Sequence, residues 1–314
     1  MWYIYNNKEV WGIFMPIPTE ILDSWSKQGA TKTPKILREK IEKVLTDDRS
    51  KIKRKNLLDI YLQGSYRNNT NILGSSDVDI VVQSKATFFS NISQLDTYER
   101  EIYNKTFDDA TYTWRYFKND VIETLQNAFG SSNVKIGNKS IKVITENYEA
   151  DVIPCFEYRK YVSFGNNEVD REYISGIKFY TTNENNIVIN YPKKHYTFGV
   201  DKNKRVNNNY KPTVRIFKNI KKRLLEQQKI TKKVTSSYFI ENLLYNIPDQ
   251  YFNIDNSSIR ITNILNWLNN NIDSFSTFVC QNKQINLFGS AQEQWNEEDA
   301  REFIFEVNKF WSKW

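Results

Sequence analysis

Apolar positions along the chain follow two rhythms, one of short extended runs and one close to the helical period, and the second takes over in the C-terminal third. Within residues 34–48, Ile36, Leu37, Ile41, Val44 and Leu45 recur at helical spacing behind Pro34, which suits a first helical turn. An amphipathic helix is expected there. Leu57 to Gln63 and Val78 to Gln83 are short, apolar, partly β-branched runs joined by a connection rich in Gly, Ser and Asn, as for two buried strands. Residues 96–129 read as helical, 141–145 and 150–158 as extended, and 177–190 as a hairpin tipped by Thr-Asn-Glu-Asn-Asn. Beyond about residue 205, the segments 212–228, 236–246, 259–272 and 298–312 carry apolar residues every three or four positions. The pattern predicts an α+β fold of two lobes. A mixed core spans 1–205 and contains the long N-terminal helix, an Asn-rich hinge lies at 203–209, and a helical lobe spans 206–314.

Composition narrows the function. With 314 residues, 39% of them hydrophobic and 15% aromatic, the chain can bury a sizeable core. No apolar run approaches the roughly 18–20 residues needed to cross a bilayer, and the first 15 residues lack the basic start and apolar stretch of an export signal. A cytoplasmic protein without a membrane partner is expected. Cys155 and Cys280 are too few for a disulfide framework or a thiolate metal site, and read as buried, reduced thiols. His195 is the sole histidine, so no second imidazole is present for zinc, and a Ser-His-Asp hydrolase would need His195 as its base. Carboxylates must carry any metal chemistry.

The net charge of +7 is unevenly placed: residues 201–233 hold twelve Lys or Arg against Asp201 and Glu226, leaving the rest of the chain slightly acidic. Such a stretch suits a polyanion, whether a triphosphate or a nucleic acid. On helix 212–228, Arg215, Lys218 and Lys222 share a face away from the stripe of Ile216, Ile220 and Leu224. Ser237 and Tyr238 open the next helix, offering a hydroxyl and free amides to phosphate and a ring to a base.

In Asp77-Val78-Asp79 the residues alternate along a strand, so both carboxylates are expected on one face with Val78 in the core. Two neighbouring acids repel unless a cation joins them, and magnesium combines one or two carboxylates with substrate phosphates. Upstream, Gly64-Ser65 ends the preceding strand, with eleven residues between Ser65 and Asp77. Glycine admits close approach of a phosphate to the backbone, and the serine can donate to it. This arrangement resembles the DNA polymerase β-like nucleotidyltransferase superfamily. The resemblance implies a third carboxylate on a later strand, for which Asp151 is the candidate and Glu149, on the same face, the competitor.

Together, Gln63-Gly64-Ser65-Tyr66, Ser76 to Val82, Asp151, Val214 to Lys218, and Ser237-Tyr238 ahead of Glu241-Asn242-Leu243-Leu244 look like the bacterial CD-NTases, the cGAS/DncV-like nucleotidyltransferases. The likeness covers roughly residues 35–250, and Tyr191-Pro192-Lys193-Lys194-His195-Tyr196 is similar to the clade E group, which includes makers of pyrimidine-containing cyclic dinucleotides. The resemblance implies a polymerase β-like core and helical lobe around a central cleft. It implies two Mg2+ ions, replaceable by Mn2+, held by the catalytic Asp77, Asp79 and Asp151. Gly64, Ser65, Lys218 and Ser237 would contact the donor triphosphate and Tyr238 would stack on its base. The implied activity is synthesis of a cyclic oligonucleotide, chiefly a dinucleotide, from nucleoside triphosphates, with the product acting on a separate effector in anti-phage (CBASS) defence and no stable nucleic-acid partner. Two readings compete: nucleotide addition to an RNA 3′ end or another acceptor, and a nucleotide or RNA sensor that binds without turnover.

Overall fold

The computed structural model describes residues 17–74, 77–146 and 148–314, and of Asp77 only the backbone. Its first two helices serve different cores. α1 (Thr19–Ser26) buries Leu22, with Ile17 just before it, among the C-terminal helices, whereas α2 (Lys32–Thr46) turns Leu37, Ile41 and Leu45 onto a sheet. Residues 17–26, expected with the mixed core, therefore pack in the helical one.

The sheet is built from β1 (Leu58–Leu62), β2 (Asp77–Asn91), β3 (Val134–Ile136), β4 (Ile141–Ile144), β5 (Glu149–Phe164), β6 (Arg171–Tyr180) and β7 (Ile187–Asn190). Its order is β1-β2-β5-β4-β3, with β6 on β5 and β7 on β6. Only β2 and β5 run parallel among these pairs. The short helix α3 (Gly64–Asn68) joins β1 to the loop before β2. Alternate residues Val78 and Ile80 of β2 and Ala150 and Val152 of β5 are buried, and Phe117, Val121 and Leu125 of α5 (Trp114–Phe129) share their core with α2. The apolar alternation thus fixes which sheet face meets the helices.

The helix expected over 96–129 is interrupted. α4 (Thr97–Thr106) starts in a capping box of Asp96 and Glu99 and ends where Phe107 turns extended, its ring against Tyr103 and Phe164. Burial of that ring outweighs continuing the helix, and the β-branched Thr111 and Thr113 do not favour resuming it before α5. β2 and β5 also run beyond their expected ends, because Tyr161 and Phe164 bury with Leu95 in a small satellite core flanked by Phe88, Tyr103 and Phe107.

α6 (Pro192–Arg205) was not expected; its sequence is largely polar, with Pro192 in the first turn. The Asn-rich hinge is a tight turn, with Asn207 and Asn208 at φ of 52° and 64°. α7 (Tyr210–Glu226), α8 (Ser237–Tyr245), α9 (Ser257–Asn270) and α10 (Glu297–Ser312) then form the helical lobe, each end within two residues of its expected position. Their core holds Ile216, Ile220, Leu224, Phe239, Leu243, Ile264 and Phe303. Among the described residues no helix is long and apolar enough to cross a membrane.

Candidate active site

β1 hands the chain to a turn that touches β2. The Gln63 amide donates to the Asp79 carbonyl at 2.9 Å, and Gly64 then adopts φ of +64° to enter α3. An added Cβ at Gly64 would lie 2.3 Å from Asp79 Oδ2, so the turn and the carboxylate are in contact and only glycine fits. Ser65 follows, and its carbonyl accepts from the Thr70 amide at 2.9 Å, folding the loop after α3 back onto the turn.

Across the parallel pair, Asp79 is in register with Asp151 and Asp77 with Glu149. In-register neighbours point to one face of a sheet, which collects Asp79, Glu149 and Asp151 above the buried Val78, Ala150 and Val152. The Asp77 side chain lies outside the described residues; its backbone stands beside that of Glu149. The two candidates for the third carboxylate differ in their partners. Glu149 is salt-bridged at 2.8 Å to Lys142, which holds its carboxyl below the usual range. Asp151 Oδ1 instead accepts from the neutral Ser140 hydroxyl at 3.0 Å. Half-buried carboxylates side by side on one face of two paired strands supply the hard oxygen donors that a divalent cation takes, although Asp79, Glu149 and Asp151 do not by themselves close into a three-ligand cluster among the described residues.

A cleft of about 390 Å3 opens beside this face. Tyr61, Gln63, Gly64 and Arg67 line it from the sheet side, and Lys193, His195, Tyr196 and Tyr238 from the other. Tyr238 is stacked on His195, with ring centroids 5.1 Å apart and planes 25° from parallel. Ser237 is exposed at the start of α8, whose N-cap is the neighbouring Ser236. Gly64 and Tyr238, far apart in sequence, therefore face one cleft. The Arg67 guanidinium lies 4.1 Å from the centre of the Tyr196 ring, and Lys193 Nζ is 2.6 Å from Asp59 Oδ2, so polar contacts bridge the cleft walls.

Lys218, expected off the apolar stripe and in contact with the donor triphosphate, does lie off that stripe but is not open to a ligand. It is buried, and its Nζ donates to Glu241 Oε1 at 2.6 Å and to Thr70 Oγ1 at 3.0 Å. α7 is packed against α1, α8 and α10, and its side carrying Arg215 and Lys218 meets the loop after α3; Arg215 donates to the carbonyls of Ser26 and Asn69. Glu241 and His195, to which the sequence reading gave no site role, sit at the centre of this contact. A signal for Glu241 was present: it is a lone acid in the apolar run Tyr-Phe-Ile-Glu-Asn-Leu-Leu, one turn after Tyr238.

Family comparisons agree with this geometry. Residues 40–132 match the nucleotidyltransferase domain, and residues 197–312 the cGAS/DncV-like nucleotidyltransferase C-terminal helical domain. The chain is 76% identical over 300 residues to the cyclic nucleotide synthase CdnE01 of Staphylococcus haemolyticus, covering 96% of this chain and 100% of that one. It belongs to the CdnE-like cGAS/DncV-like nucleotidyltransferases. The CdnE-type cyclic UMP-AMP synthase of Rhodothermus marinus is 42% identical over 300 residues, 96% of this chain and 99% of that protein. The structure of Rhodothermus marinus CdnE c-UMP-AMP synthase with Apcpp and Upnpp superposes with a TM-score of 0.84 over 95% of this chain and 98% of that one. The polymerase β-like core with its helical C-terminal domain is thus the CdnE fold, and the protein is a nucleotidyltransferase. Enzymes of this class generally use divalent metal ions.

Proposed function

We propose that this CdnE-like enzyme joins nucleoside triphosphates into a cyclic dinucleotide second messenger with release of pyrophosphate. The carrying observation is the meeting of three features: the Gly64 turn in contact with Asp79, the Asp79–Asp151 register, and the cleft that runs from Gly64 to Tyr238. The first two form an acidic centre beside a tight backbone turn, and the third offers a ring to a base.

Two Mg2+ ions, replaceable by Mn2+, would be held by Asp77, Asp79 and Asp151. When bound, such ions lower the pKa of an attacking hydroxyl and neutralise the departing pyrophosphate. The chain's own residues do the positioning. The Gly64-Ser65 turn holds donor phosphates, Ser237 at the start of α8 donates to them, and Tyr238 backs the base. Lys218, sealed against Glu241, acts on the phosphates from behind the turn through Thr70, not by contact. In the first round a ribose hydroxyl of one nucleotide attacks the α-phosphate of the other, and after the linear product turns around the second round closes the ring. Because such chemistry rests on positioning and charge neutralisation, Asp77→Ala and Asp79→Ala each cost more than about a thousandfold in turnover, some 4 kcal/mol. The product would act on a separate effector in cytoplasmic anti-phage (CBASS) defence.

Incubation with Mg2+ or Mn2+ and all four triphosphates, each α-labelled in turn, followed by phosphatase and mass spectrometry, tests this reading. A phosphatase-resistant cyclic product is expected, and its mass names the bases. Extension of an added RNA 3′ end with no resistant product overturns it, as does nucleotide binding without pyrophosphate release.

A further inference from the structure

Glu241 joins the two ends of the cleft through a buried carboxylate. Its side chain is 3% exposed and takes contacts from four residues on three stretches of the chain, the end of α3 with the loop after it, α6 and α7. Thr70 Oγ1 and Lys218 Nζ each donate to Oε1 at 2.6 Å, Asn68 Nδ2 donates to Oε2 at 2.7 Å, and His195 Nε2 lies 3.0 Å from Oε2. Burial works against the charge, but Lys218 and His195 more than offset it and hold the carboxyl far below its usual range.

Each contact leads to part of the nucleotide site. Asn68 ends the five-residue helix that begins at Gly64, and Thr70 is tied by its amide to the Ser65 carbonyl. On the other side, His195 is the ring on which Tyr238 stacks, and Tyr238 precedes Glu241 by one turn of α8, on the same face. A nucleoside triphosphate has a set span between base and phosphates. A protein that grips both must hold its two grips at that span.

We propose that Glu241 is a positioning residue that fixes the Gly64–Asn68 turn relative to the His195–Tyr238 shelf, and so sets the affinity and alignment of the donor nucleotide without touching it. This rests on the nucleotidyltransferase reading of the cleft. The competing role, filling the junction between the lobes, has a different signature. A buried ion pair exchanged for a neutral pair of similar volume often keeps or improves stability, whereas loss of one partner leaves a buried charge and is strongly destabilising.

The test compares wild type with Glu241→Gln, the double variant Glu241→Gln with Lys218→Met, and Thr70→Val, which removes one strut without stranding a charge. Thermal midpoint, affinity for a fluorescent ATP analogue, and KM and kcat from pyrophosphate release are measured for each. Glu241→Gln is expected to lower the midpoint and to raise KM at least about tenfold, the scale of a misplacement of under 1 Å. The double variant should regain most of the midpoint yet keep the raised KM and weakened affinity, and Thr70→Val should raise KM about threefold or more with its midpoint near wild type. Wild-type KM and affinity in the double variant, or in Thr70→Val, overturn the proposal. Should the wild type release no pyrophosphate, the functional reading falls, while the affinities of the same proteins still decide the role of Glu241.

Discussion

An ideal Cβ built on Gly64 stands 2.3 Å from the Oδ2 of Asp79, closer than any two such atoms can rest. Gly64→Ala therefore forces Asp79 to swing away, and it also places a side chain at φ of +64°, which costs roughly 1–2 kcal/mol in backbone strain. The far-UV circular dichroism should stay that of the wild type, while pyrophosphate release falls at least about a hundredfold, since displacement of a ligand by 1 Å is enough for that. Wild-type turnover in Gly64→Ala would show that Asp79 has no fixed place.

Asp151 and Glu149 are two residues apart on one face, and their partners predict opposite outcomes. Asp151→Asn should lower turnover by about a thousandfold or more, the scale of a lost ligand in a charge-stabilised site. Glu149→Gln, which releases only the half-exposed pair with Lys142, should stay within about fivefold, because solvent screens such a pair and it contributes little. Steady-state pyrophosphate release with saturating Mn2+ decides between them, and a reversed order would move the third ligand to Glu149.

For Tyr238 the ring matters more than the hydroxyl, which reaches Asn190 Oδ1 only at 3.4 Å. Tyr238→Phe should bind nucleotide like the wild type. Tyr238→Ala should weaken affinity about tenfold or more, the worth of one base–aromatic stack of roughly 1–3 kcal/mol. Equal losses in both, read by titration of a fluorescent triphosphate, would assign the role to the hydroxyl.

Acid should act on the Glu241 junction in a definite direction. The folded carboxyl sits well below the unfolded value of about 4.3, so its contribution is full above that value and is lost as pH falls beneath it. The thermal midpoint of the wild type should therefore fall more steeply between about pH 4.5 and 3 than that of the double variant Glu241→Gln with Lys218→Met. Parallel profiles would mean that the buried pair adds nothing to acid sensitivity.

The helical lobe was legible because Ile216, Ile220, Leu224 and their counterparts repeat at the period of the structure they form. The closeness of Gly64 and Asp79 was legible through resemblance, since Gly-Ser and Asp-x-Asp at that spacing resemble the polymerase β-like pattern, whereas an Asp-x-Asp pair alone reads equally as an exposed strand. Lys218 was misplaced for a physical reason. Helical periodicity shows that a lysine lies off the apolar stripe, but not whether water or another loop lies opposite, and its partner Glu241 is twenty-three residues away. α6 was missed because its buried positions, His195, Gly199 and Lys202, are not apolar and leave no hydrophobic signature. The break at Phe107 depends on Phe164, a contact that no local window contains.

The separation of α1 from α2 has a mechanical side. Since Leu22 belongs to the helical core and Leu37 to the sheet core, residues 27–31 carry the chain from one lobe to the other, and it crosses again between Val188 and Val214 through α6. The earlier crossing is bonded to the loop after α3, where the Gly29 amide donates to the Asn71 carbonyl at 3.1 Å. Lobes on a single tether swivel freely, whereas lobes joined at two points lose the rotations that would pull either crossing out of place. The phosphate turn and the aromatic shelf are thereby held at one separation by two backbone crossings as well as by the side chains between them.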